Sequence, residues 1–184
     1  MKLFTPANQL TLLRMLMIPA FVILVIYGEF GWALGVFVAA GITDGLDGLL
    51  ARWSDEKTSL GAWLDPMADK LLLVTMFIVL TLPGIGSANP LPVWFTVLVL
   101  SRDIAIVLTV AVINLAVGPR TFPPSIFGKL ATAIYIVTGV VTLYFNYLDV
   151  VSPIIAVFVY ASLAITFVSA GHYLVKVFRP SRAG

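Results

Sequence analysis

Apolar residues run along this chain in blocks longer than a half-buried strand or a one-faced surface helix needs. One block covers residues 15–27 with Pro19 its only interruption, a second starts near Trp32, a third covers 60–82 and a fourth 93–117. The last two cover 126–147 and a stretch ending at Phe178. Between them lie helix breakers and polar turns: Gly28-Glu29-Phe30-Gly31, residues 54–58, the uncharged stretch 83–92, the Pro-rich stretch 118–124, and Asp149 with Pro153. Blocks of this length predict membrane-crossing helices of roughly 20 residues each. Barrel alternation is missing, and an open sheet leaves its backbone unsatisfied in lipid. The predicted fold is an all-α integral membrane protein with six transmembrane helices.

Ahead of the first block, residues 4–14 mix polar and apolar positions, with Pro6, Asn8, Gln9 and Thr11 among them. This lead-in is expected to form an N-terminal interfacial helix, with Leu10, Leu12 and Leu13 toward lipid and Arg14 snorkelling to the surface. No small-x-small cleavage pattern precedes Gly28, so the block 15–27 is expected to be a retained first span rather than a leader. Being short for a crossing, it is expected to take its first turns from the lead-in.

Composition confirms the solvent. The chain has 184 residues, 60% hydrophobic and 11% charged, with mean hydropathy +1.06, against roughly 45–50% and about 25% for soluble domains. That length accommodates one membrane domain spanning 1–184. Cysteine is absent, which excludes a thiolate nucleophile, a disulfide framework and a Cys-based zinc site. A formal charge of +2 gives no reason to expect nucleic acid. Its distribution is more telling. Lys2, Arg14, Arg52, Lys57, Arg120, Lys129, Lys176, Arg179 and Arg182 all fall on the side of both predicted termini, whereas the opposite loops carry Glu29 and Asp149 and no Lys or Arg. The positive-inside rule then predicts a multi-pass protein of the cytoplasmic membrane with both termini in the cytoplasm.

Against this background the stretch 44–70 stands out. Asp44, Asp47, Asp65 and Asp69 lie on predicted helices of a very apolar chain, and a charge at membrane depth costs on the order of 2.5–3.5 kcal/mol even on insertion scales. Asp44, Asp47, Gly48, Ala51 and Arg52 recur at helical spacing on the second span, and Gly61, Asp65 and Asp69 do so on the third. The short loop between the spans makes them antiparallel neighbours whose acidic faces can meet. Oxygen-only ligands of this kind suit Mg²⁺ or Mn²⁺, and two such ions clamp a phosphoryl or diphosphate group. The small residues leave room beside the backbone, and Arg52 is a bidentate phosphate donor at the rim. One alternative is a buried ion-pair network with Arg52, Lys70 and Arg102. Another is a metal-ion transporter, although that class distributes its acids through the membrane depth.

The spacing Asp44-x2-Asp47-Gly48-x2-Ala51-Arg52-x8-Gly61-x3-Asp65-x3-Asp69 resembles the full signature of the CDP-alcohol phosphatidyltransferase family. The resemblance implies six transmembrane helices, a homodimer, and metal-dependent transfer of a phosphatidyl group from CDP-diacylglycerol to an alcohol with release of CMP. It implies that Asp44, Asp47 and Asp65 are metal ligands, and that Asp69 is a ligand and the general base for the acceptor hydroxyl. Gly48, Ala51, Arg52 and Gly61 would hold the CDP part.

For the acceptor, the chain resembles the glycerol-phosphate branch. Asn8-x-Leu10-Thr11-x2-Arg14 followed by Pro19 is similar to the start of phosphatidylglycerophosphate synthases, except that Ala7 separates Pro6 from Asn8. Ser101-Arg102 and Gly128-Lys129 also match that branch and make Arg102 and Lys129 candidate acceptor-binding cations. Ala33-Leu34-Gly35-Val36-Phe37, Ser101-Arg102-Asp103 and Phe145-Asn146-Tyr147 with Asp149 are closer to CMP-forming cardiolipin synthases. The acceptor is therefore expected to be phosphatidylglycerol or glycerol 3-phosphate, with inositol phosphate and serine as family alternatives. Arg102 and Asp103 leave their helix about 100° apart, so they are not expected to be each other's partner, and Asp103 is read as structural. Lys70 is read as a charge-balancing neighbour, His172 as a packing residue, and Trp32, Trp53, Trp63 and Trp94 as aromatic-belt anchors.

Overall fold

The computed structural model describes the backbone of residues 6–53, 59–117 and 126–178, and the side chains of 9–46, 67–68, 70–109, 111–112, 115 and 126–172. Six α-helices and no strand occur among the described residues. They are α1 (Pro6–Ile26), α2 (Phe30–Trp53), α3 (Ser59–Thr81), α4 (Val93–Val117), α5 (Ile126–Tyr147) and α6 (Ile154–Phe178). The apolar blocks and the helices coincide to within a few residues. At the start, the lead-in supplies the first turns of the first block as expected, but as one helix running through Pro19 and not as a separate interfacial helix. By length and composition, α1 (over Gln9–Ile26), α5 and α6 (over Ile154–His172) are long and apolar enough to cross a membrane. Among the described residues the apolar segments of α2 and α3 are shorter, Phe30–Leu46 and Lys70–Thr81, and the first of them carries Asp44 near its end.

The chain divides into two compact units, 1–91 with 139–151 and 92–138 with 152–184, so α5 contributes its first half to the second unit and its second half to the first. In the first unit, α1 packs against both α2 and α3. Each of the three buries a strip spaced by three, four or, on α1 between positions 14 and 21, seven residues, the pattern that keeps one seam facing its neighbour. On α1 the strip is Thr11, Arg14, Phe21 and Val25; on α2 it is Ala33, Phe37 and Ala40; on α3 it is Leu72, Met76 and Val79. Phe21 and Phe37 meet with ring centroids 5.9 Å apart. Outward positions such as Leu12, Leu13, Leu16 and Ile23 are exposed, as lipid contact requires.

The second unit is held differently. The buried strip of α6 is Ile155, Val159, Ser162, Thr166 and Ser169, three of the five polar. Thr138 donates its proton to the Ile134 carbonyl at 2.7 Å, so the contact with Ser162 Oγ at 3.0 Å must be donated by Ser162. Thr166 likewise donates to the Ser162 carbonyl, so Tyr135 donates to Thr166. This α5–α6 hydroxyl ladder joins the helices where apolar packing has no advantage over lipid.

Two helix ends share one device. Gly28 (φ 77°) closes α1 with the Glu29 N–H bonded to the Leu24 carbonyl and its own N–H to Val25, and Asp149 (φ 53°) closes α5 with the equivalent bonds from Val150 to Phe145 and from itself to Asn146. Both are Schellman caps, the second made by an acidic residue where glycine is usual. Just before it, buried Asn146 accepts from the Asn89 backbone N–H at 2.8 Å and from the Asn89 amide at 3.2 Å, and that amide also donates to the Val150 carbonyl at 2.9 Å. The 83–92 stretch is thereby tied to the end of α5. An Asn146→Ala protein loses the shared acceptor and should be destabilised by on the order of 1–3 kcal/mol, read as a lower melting temperature in detergent.

Candidate active site

The side chains of Asp47, Gly48, Ala51, Arg52, Gly61, Asp65 and Asp69 lie outside the described residues, and so do those of Trp53 and Trp63. Their backbone is helical, in α2 and α3 as expected. In backbone register, positions 44, 47 and 51 continue the α2 strip of Ala33, Phe37 and Ala40. Positions 65 and 69 continue the α3 strip of Leu72, Met76 and Val79 in the same alternation. The acidic motif thus extends two apolar seams at their ends nearest the α2–α3 connection. Among the described residues α2 and α3 touch directly, while each packs more extensively on α1.

Asp44 is described, and its partner is Arg14. Arg14 Nη1 lies 3.0 Å from Asp44 Oδ1, with the arginine side chain fully buried and the aspartate side chain 44% exposed. The antiparallel register explains the meeting. From the contact of Phe21 with Phe37, seven positions back along α1 is Arg14 and seven positions on along α2 is Asp44. Two turns of helix on each side carry the pair into opposition. This corrects the expectation for Arg14, which does not snorkel. It occupies the buried strip of α1, because the lead-in is part of the first span and not a separate surface helix. The sequence held a signal for this: Thr11, Arg14, Phe21 and Val25 fall on one heptad-spaced strip, and a cation there must be inside.

In the second unit, Arg102 Nη1 lies 2.8 Å from Asp103 Oδ1 and Nη2 donates to Ser169 Oγ at 3.2 Å. The adjacent pair therefore are partners, contrary to the expectation from their angular separation. The arginine stem is long enough to bring its guanidinium around the helix, so the direction in which a side chain leaves does not fix where its end lies. Arg102 Nε is buried without a hydrogen-bond partner among the described residues. Beside it, a cavity of about 760 Å³ is lined by Val97, Leu98, Arg102, Ala105, Thr166 and Phe167, among others. It is an apolar hollow with a guanidinium in its wall. Lys129 is exposed near the start of α5. Lys70 is exposed, and His172 packs its ring on Phe127 at 5.0 Å. Trp32 and Trp94 are exposed at the starts of α2 and α4.

The donor chemistry fits a hard divalent cation. Asp44 turns one oxygen to Arg14 and keeps much of its carboxylate open, and the remaining three acids follow on the same helical registers. No group of three or more metal-binding side chains occurs among the described residues, and Asp47, Asp65 and Asp69 lie outside them.

Comparison with known proteins points the same way. A family model described as CDP-alcohol phosphatidyltransferase matches residues 4–168. The chain is 33% identical over 165 residues to "Cardiolipin synthase (CMP-forming)" of Homo sapiens, covering 79% of this chain and 53% of the relative. It is 41% identical over 135 residues to "Probable phosphatidylglycerophosphate synthase" of Mycobacterium tuberculosis, covering 68% and 59%. With "Cardiolipin synthase (CMP-forming)" of Streptomyces coelicolor it shares 34% over 139 residues, covering 71% and 61%. The chain spans about half the length of the human relative and about three fifths of the two bacterial ones.

The Arg102 cluster supplies a test of its own geometry. Ser169→Ala removes one neutral acceptor and should cost about 1 kcal/mol. Asp103→Asn leaves a largely buried guanidinium without its counter-charge and should cost more. Melting temperatures of the two variants in the same detergent should fall in that order.

Proposed function

The chain belongs to the CDP-alcohol phosphatidyltransferase family, and we propose that it transfers a phosphatidyl group from CDP-diacylglycerol to phosphatidylglycerol, releasing CMP in phospholipid synthesis. The observation that carries this reading is the eight-position acidic motif, set on the seam registers of α2 and α3 with its first member ion-paired to a buried arginine.

In this reading Asp44, Asp47, Asp65 and Asp69 hold Mg²⁺ or Mn²⁺, in a pair. When bound, the ions supply charge stabilisation to the diphosphate and to the departing CMP. Gly48, Ala51 and Gly61 let the nucleotide approach the helix backbone, and Arg52 binds its phosphate. Asp69 takes the proton from the acceptor hydroxyl as that oxygen bonds to the phosphatidyl phosphorus and the bond to CMP breaks. Arg102 and Lys129 hold the acceptor phosphate. The apolar cavity beside Arg102 suits acyl chains of donor or acceptor alike, and the stretches 33–37, 101–103 and 145–149 that resemble cardiolipin synthases support phosphatidylglycerol as the acceptor. Six spans, both termini on the cytoplasmic side and a homodimer complete the proposal. The basic residues on one side and the nucleotide in the cytoplasm support that orientation.

Glycerol 3-phosphate is the second reading, favoured by the lead-in motif and by the similarity to the mycobacterial protein. The two are separated by offering CDP-diacylglycerol with phosphatidylglycerol, glycerol 3-phosphate, inositol phosphate and serine in parallel. The product lipid is then identified by mass. Phosphatidylglycerol should be consumed with metal-dependent CMP release, and chelation should abolish the reaction. Asp69→Asn should slow turnover by about 10²–10⁴-fold, and metal and CDP-diacylglycerol binding measured on the same variant separate loss of the base from loss of a ligand. Normal turnover in that variant removes the base role. No CMP release with any acceptor, together with cation movement in liposomes, replaces the enzyme with a transporter.

A further inference from the structure

Arg14 is absent from the acidic motif, yet it is the most deeply buried charged side chain described, with no exposed surface, on the seam that meets α2. Burying a guanidinium costs several kcal/mol unless it is paired with good geometry. Phe21 and Phe37, two turns away on both helices, fix the register in which it meets Asp44. The contact uses one guanidinium nitrogen and one carboxylate oxygen and leaves Asp44 44% exposed. The aspartate is thus held from one side and open on the other.

We infer that Arg14 is the positioning residue of Asp44 and the built-in counter-charge of the acidic site, which lets the α1–α2–α3 seam stay closed when divalent ions are absent. The inference rests on the metal-binding reading above and extends it to α1. Four carboxylates at the ends of two packed helices repel one another unless cations offset them. Bound ions do so in the loaded protein. In the metal-free protein a resident cation is required, and Arg14 is a cation fixed by packing against the first acid. An arginine suits this place better than lysine because its flat, weakly hydrated head tolerates burial and its fork fixes direction. A pair that served only to glue α1 to α2 would matter equally with and without metal. A counter-charge matters most without it.

That difference is the test. Full-length wild type, Arg14→Gln, Arg14→Lys and the double variant Arg14→Gln/Asp44→Asn are melted in detergent, in EDTA and in saturating Mn²⁺. Wild type should melt higher with Mn²⁺. Arg14→Gln should melt lower than wild type in EDTA and gain about twofold more from Mn²⁺, because binding to the folded form offsets the missing charge. Arg14→Lys should lie closer to wild type than Arg14→Gln does. The double variant should recover part of the EDTA loss of Arg14→Gln, since the buried partner charge is gone too. Equal losses for Arg14→Gln in EDTA and Mn²⁺ overturn the counter-charge role, and so does an unchanged melting temperature in EDTA. If Arg14→Gln cannot be purified, recovery of the double variant supports the inference and failure of both overturns it. A wild type indifferent to Mn²⁺ removes the metal reading instead, while the comparison in EDTA still measures the pair.

Discussion

Charge at membrane depth is the constraint on which this structure depends. A helix seam in lipid is stable when its positions are small or apolar, yet here three seams run from apolar residues into charged or polar ones: Thr11 and Arg14 on α1, Asp44 and position 47 on α2, positions 65 and 69 on α3. Each of those charges is expensive alone. For the first of these acids the cost is offset, because antiparallel packing sets Arg14 of α1 against Asp44 of α2, 3.0 Å apart. The same heptad-like spacing that packs Phe21 against Phe37 therefore also assembles the start of the candidate active site.

The second unit solves a related problem with neutral groups. Serines and threonines on the buried strip of α6 hydrogen-bond to Tyr135 and Thr138 of α5, and Ser169 accepts from Arg102. Each hydroxyl has one proton, and those of Thr138 and Thr166 are committed to carbonyls of their own helices. The direction of every cross-helix bond in the ladder follows from that. The unit thus gains specificity of packing where hydrophobic burial offers little, and holds a guanidinium beside an apolar cavity of about 760 Å³. That combination is suited to an anionic lipid.

Much of this was legible from residue order alone. Long apolar blocks in a chain without barrel alternation demand helices, and α4 and α5 start and stop where those blocks do. Fixed residues at helical spacing, together with the cost of charge in lipid, are enough to single out the acidic motif. The family match over 4–168 agrees with that reading. These properties are local or compositional: each depends on what a residue is and on its neighbours within a few turns.

What only the tertiary structure decided was pairing. Arg14 reads as a surface anchor when the polar positions around it are taken to mark an interfacial helix, and Arg102 and Asp103 read as strangers because their side chains leave the helix in different directions. Both readings failed for one physical reason. A long cation ends far from its Cβ, and which group it reaches is set by the register of packed helices and not by spacing along one of them. Composition and local pattern settle that this is an apolar, helical chain bearing an acidic motif. The seam register settles that the first acid of that motif is held by an arginine thirty positions earlier in the chain.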